Sequence, residues 1–113
     1  MKPGDVVVGV LSGARETKVR PGVVIASEGY LCEGPDVLIK ILTTRLPKTI
    51  GSTDTILTDW RSAGLRAESC FRAYVLTIHR SEVTLIGHLS DRDWGRVKAC
   101  VRAAFAIRSE IAP

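Results

Sequence analysis

Long hydrophobic runs are missing from this 113-residue chain. No apolar stretch approaches the ~20 residues needed to cross a bilayer. The sequence turns polar at Lys2 and shows no signal peptide, so nothing marks it for export and a cytoplasmic location is expected. Cysteine is sparse and odd in number: Cys32, Cys70 and Cys100. Their spacing matches no CxxC metal pattern, which favours buried or half-buried thiols in a reducing compartment over a disulfide framework or zinc site. Histidine occurs only at positions 79 and 88. The two could form an acid–base pair, but two ordinary histidines near strand ends is the favoured reading. The sequence has no H-E-x-x-H, Walker loop, G-x-S-x-G or dinucleotide fingerprint, and its acidic residues form no carboxylate cluster for Mg²⁺. No metal or cofactor is expected. Aromatic residues make up 5% of the chain, too few for a broad base-stacking platform.

What is present fits one domain over residues 1–113, with no repeat, low-complexity segment or linker. Hydrophobic residues make up 45%, enough for a core. The net charge of +4 calls for an anionic partner, and its distribution is uneven. Segments 12–20 and 43–52 hold Arg15, Lys18, Arg20, Arg45 and Lys48 against Glu16 alone, so they carry the excess of the whole chain.

Between those basic segments lie two β-branched runs. Val19-Arg20-Pro21-Gly22 leads into Gly22–Ser27, a strand without polar alternation that should be buried on both faces. Glu28–Pro35 is a connection with room for a helical turn, and Val37–Thr44 is the next strand. Asp5–Leu11 precedes them as a first strand. Thr55–Leu57 is a short strand, and Asp59–Ala63 is a helical turn ended by Gly64 with Trp60 inward. Ser69–Ala73 and Val75–His79 read as one bent strand, and Val83–Leu89 as the last. Ser90 and Asp93 give an S-x-x-D helix start, after which Trp94, Val97, Val101, Ala104 and Phe105 fall on one helical face. Many short strands and one terminal helix predict a small barrel capped by that helix.

Arg20 enters the second strand, while Thr43 and Thr44 leave the third. Side chains alternate along a strand, so Thr43 shares a face with Val37, Ile39 and Ile41, and Thr44 points away. A guanidinium can grip two phosphate oxygens and a threonine can bond a third. Such a site could cleave RNA without metal, because the 2′-hydroxyl supplies the nucleophile and the protein need only orient it and hold the developing charge. Proton transfer is the step these residues leave open, since neither is a good base at neutral pH.

The same residues carry a resemblance. Gly4-Asp5-Val6-Val7, Arg20-Pro21-Gly22-Val23-Val24-Ile25, Leu42-Thr43-Thr44, Leu76-Thr77-Ile78 and Gly87-His88-Leu89-Ser90-Asp91 follow, in order, motifs of the MazF/PemK toxins of type II toxin–antitoxin systems. The chain resembles that family over nearly its whole length. The resemblance implies a mainly β fold with α, an SH3-like small barrel (MazF/PemK/CcdB-like) with a C-terminal helix. It implies a homodimeric, metal-independent endoribonuclease that cuts single-stranded RNA to a 2′,3′-cyclic phosphate and 5′-OH. It also implies an acidic cognate antitoxin partner. The catalytic pair of the family falls on Arg20 and Thr43. Arg15, Glu16, Lys18, Thr44, Arg45, Lys48 and Arg72 then become RNA-binding candidates. The first loop is one residue shorter than is common in the family. Leu76 and His79 replace its usual basic and acidic residues, and Ala73 and Tyr74 offer no carboxylate beside Arg72. Two other functions suit the fold class: a non-catalytic toxin that inhibits a protein such as gyrase, and an SH3-like nucleic-acid-binding module.

Overall fold

The computed structural model describes residues 1–12 and 17–106. Six strands form one antiparallel sheet: β1 (Asp5–Ser12), β2 (Thr17–Val24), β3 (Asp36–Thr43), β4 (Thr55–Ile56), β5 (Cys70–His79) and β6 (Val83–His88). Their spatial order is β4-β5-β3-β2-β1-β6. Helix α1 (Glu28–Glu33) joins β2 to β3, and α2 (Asp91–Ala104) follows β6.

The expected barrel is not found. β4 and β6 are the two edges of an open sheet, and among the described residues no ladder joins them to close it. The core explains why. A small barrel buries one face of its strands, whereas this sheet buries both. Val6, Val23 and Leu42 lie in one apolar cluster with Leu57, Leu65, Leu89 and Val97, under α2 and the 57–65 segment. Val7, Val24 and Ile39 lie in a second cluster, with Leu31 of α1. Val23 and Val24 are therefore both fully buried, as the absence of polar alternation implies. The chain itself supplies the cover, so this strand does not require a second subunit to bury it.

β2 also differs from expectation in its bounds. It begins at Thr17, five residues before Gly22, and ends at Val24, while Ser27 leaves the sheet to cap α1 by accepting from the Tyr30 N–H. Pro21 is tolerated inside the strand because the β2–β3 ladder runs only over Gly22–Val24, so its missing N–H falls beyond that ladder. Arg20 consequently sits within a strand, paired with Gly9 of β1. The bent strand is confirmed as the single β5, with a register shift opposite Lys40 to Leu42.

Ser90 caps α2 by accepting from the Asp93 N–H, as the S-x-x-D signal implies. The buried face is shifted from the one expected. Val97 and Cys100 are buried, with Trp94 and Val101 packed beside them, but Ala104 and Phe105 are exposed. The surprise is Asp93, which is fully buried and accepts from the backbone N–H groups of Thr58 (3.0 Å) and Asp59 (2.8 Å). Asp59 in turn takes a two-pronged bond from Arg92 and a hydrogen bond from Ser90. The Arg92 hydrogen bonds, then that of Ser90, hold its carboxyl well below the usual carboxylate range.

The 57–65 segment must pass close to β6. A Cβ at Gly87 would lie 2.0 Å from the Ala63 carbonyl oxygen, and Gly64 adopts a left-handed φ of 88° at this crossing. Trp60 packs against the core there, as expected.

Candidate functional site

Register, read strand by strand, assembles the site. Gly22 pairs with Ile41 and Val24 with Ile39. The ladder ends at Gly22–Ile41, two residues short of Arg20 on β2 and of Thr43 on β3. By alternation Lys18, Arg20, Gly22 and Val24 share one face of β2, and Ile39, Ile41 and Thr43 share the matching face of β3. The buried row of Val37, Ile39 and Ile41 ends in half-buried Thr43, as the sequence implies. Arg20 is also half-buried, and its Nε is shielded from solvent. Arg20 and Thr43, 23 positions apart in the chain, thus lie on the same face of neighbouring strands, just past the paired stretch.

The hydroxyl of Thr43 is oriented. Its Oγ1 accepts from the Arg45 N–H at 3.1 Å, which leaves the hydroxyl proton for an outside acceptor. Thr44 is exposed at the bend beyond the strand and shares no face with Thr43. Arg45 and Lys48 are exposed on the connection between β3 and β4. Lys18 is exposed on β2, and Arg72 is exposed on β5 just after Phe71. Arg15 and Glu16 lie outside the described residues. The cations of β2, the β3–β4 connection and β5 therefore surround the Arg20–Thr43 end of the sheet.

The two histidines take structural partners. His88 Nδ1 meets Asp5 Oδ1 at 2.8 Å, linking β6 to β1. His79 caps the 3₁₀ turn at Arg80–Glu82 by accepting from the Ser81 N–H. Arg80 bonds the carbonyls of Leu31, Gly34 and Pro35, so it secures the end of α1. Among the described residues, no group of three or more His, Cys, Asp and Glu could hold a metal ion.

Lys40 is a residue that sequence analysis passed over. It is fully buried on the face opposite Thr43, with its Nζ 4.0 Å from the centroid of the Phe71 ring. Its amine donates to the Thr53 carbonyl at 3.4 Å and is attracted by Asp54. Lys40 thus grips the far end of the basic connection, whose near end is held by Thr43. The signal was present in Val37–Leu42, where one lysine interrupts an otherwise apolar strand.

Burial outweighs these attractions and lowers the Lys40 pKa from its ordinary 10.5. The folded protein then binds fewer protons than the unfolded chain between the lowered value and 10.5. Stability should rise with pH across that window. Urea unfolding at stepped pH should show this rise in the wild type and a flatter profile in Lys40→Met. The same slope in both proteins would remove Lys40 as its source. Burial also raises the thiols of Cys70 and Cys100, which makes them poor nucleophiles.

The Thr pair gives a direct check of the register. If this end of the sheet cleaves RNA, Thr43→Val should lose far more activity than Thr44→Val, by about 10-fold or more, since only Thr43 shares a sheet face with Arg20. A larger loss at Thr44, measured on one RNA substrate, would shift the active register by one residue.

No family model matches the sequence, and neither does any curated protein. Solved structures match it at full length. The Mycobacterium tuberculosis toxin MazF-mt6 aligns with a TM-score of 0.74 at 18% identity, over 93% of this chain and 99% of that one. A mycobacterial endoribonuclease in complex with its cognate antitoxin aligns at 0.74 and 15% identity, over 96% and 98%. A MazE–MazF structure from Deinococcus radiodurans aligns at 0.72 and 12%, over 96% and 97%. This chain shares the fold of these toxin structures.

Proposed function

We propose that this chain is a MazF/PemK-type toxin, one domain over 1–113, that cleaves single-stranded RNA without a metal. What supports this reading is the strand alternation that puts Arg20 and Thr43 on the same face of the neighbouring strands β2 and β3. In this reading the guanidinium holds the charge that grows on the phosphate, and the Thr43 proton binds a phosphate oxygen. The RNA 2′-hydroxyl attacks, so the products are a 2′,3′-cyclic phosphate and a 5′-OH. Lys18, Arg45, Lys48 and Arg72 bind flanking phosphates, and affinity falls steeply with salt.

The partner in this reading is an acidic antitoxin segment that lies over the same basic surface and competes with RNA. One similar structure is of an endoribonuclease with its cognate antitoxin. The active form is a homodimer. Its support is the paired residues Val10 and Val19, 64% and 68% exposed on adjacent strands, which a second copy would cover.

The test is to incubate the purified protein with a mixed RNA in EDTA and to map the new ends. Cuts at a recurrent short sequence, with cyclic phosphate on one side, are the expected result. Intact RNA under conditions where the protein is folded would overturn the reading.

A further inference from the structure

We infer that Tyr74 is a base-stacking residue that fixes which nucleotide lies beside the cleaved phosphate; this rests on the ribonuclease reading. The observation is the irregularity in β5. Leu42 pairs with Phe71 and Lys40 pairs with Val75, so four steps of β5 span two steps of β3. Two extra residues are inserted opposite Ile41. Bulges of this kind re-aim side chains and are common beside functional sites.

Phe71 and Val75 are the cross-strand partners of Leu42 and Lys40, and Arg72 and Tyr74, both exposed, lie in the bulged stretch between them. The bulge begins two residues after Cys70, the cross-strand partner of Thr43. It therefore sets a cation and an aromatic residue in the stretch of β5 that adjoins the Thr43 end of β3.

The other aromatic residues are committed elsewhere. Phe71 is fully buried, and Trp60 and Trp94 pack against the core. Tyr30 lies on α1, at the Val37 end of β3, and Phe105 follows α2 on the opposite face. Tyr74 is 38% exposed, so part of its ring is open to a ligand. A base extruded from single-stranded RNA can stack on such a ring while Arg72 holds the adjoining phosphate.

The experiment compares wild type, Tyr74→Phe and Tyr74→Ala in two assays. The first measures KM, kcat and the map of cut sites on a long transcript. The second measures binding of an uncleavable 2′-O-methyl RNA pool carrying 2-aminopurine. Stacking predicts that Tyr74→Ala binds about 5- to 100-fold more weakly and cuts a wider set of sequences, while Tyr74→Phe stays near wild type. The KM should rise more than kcat falls. Equal binding and quenching of 2-aminopurine in all three proteins would overturn the role of Tyr74, whether or not RNA is cut. If wild type cuts nothing but binds the pool with the same dependence on the ring, stacking stands and the cleavage reading falls.

Discussion

Arg20→Ala is expected to fold like the wild type and to cleave RNA at least about 100-fold more slowly. Arg20 is placed by β2 pairing and contributes no side chain to either apolar cluster, so its loss leaves the core intact. In the ribonuclease reading, what disappears is a cation that would stabilise the negative charge growing on the phosphate. The defect should therefore appear in kcat more than in KM. Arg20→Lys should restore little, because a point charge cannot reproduce two parallel N–H donors. Circular dichroism and a single-turnover cleavage assay decide the matter together. A folded Arg20→Ala protein that cuts RNA at near the wild-type rate would remove Arg20 from the chemistry.

Asp93→Ala should produce the largest loss of stability of any single substitution considered. The carboxylate is fully buried and satisfies two backbone N–H groups 34 and 35 residues away. Removing it strands both donors and frees the 57–65 segment from α2. The expected cost is about 3 kcal/mol, which for a chain of this size lowers Tm by roughly 10–20 °C. Asp93→Asn keeps the shape but turns an NH₂ group toward one of the donors, so it should recover only part of the loss. Thermal unfolding of the three proteins tests this. Melting of Asp93→Ala within a few degrees of wild type would show that the segment is held mainly by Leu57, Ala63 and Leu65.

Asp93 also shows where sequence reasoning reached its limit. The S-x-x-D pattern located the helix start correctly, because capping is local and involves neighbours in the chain. The same pattern says nothing of where the Asp93 carboxylate points, which is inward to Thr58 and Asp59. No local pattern reports a partner so distant in sequence. The sheet behaved similarly. Strand positions and the two-sided burial of Val23 and Val24 followed from composition, but closure did not. Whether β6 meets β4 or remains an edge depends on how the whole sheet is covered, and α1 and α2 cover opposite faces. Thr43 was legible because alternation is a local rule. Its relation to Arg20 depends on the pairing of β2 with β3, which local patterns do not report. Lys40 was overlooked because a lone lysine in a strand is usually solvated.

Among the described strands β1 comes earliest in the chain, and one of its two sheet neighbours, β6, comes latest. The bond between Asp5 and His88 joins residues 83 apart, and closing a loop of that length costs about 4 kcal/mol in chain entropy. Strands β2, β3 and β5 can associate sooner. Until β6 and α2 emerge, β1 has an open hydrogen-bonding edge, and Val6, Val23 and Leu42 lack the cover of Leu89 and Val97. A chain cut short during synthesis would contain Arg20, Thr43 and Arg72 but not a sealed core, and it would be prey to proteases. A core sealed by Leu89 and Val97 therefore has to wait until β6 and α2 have been translated.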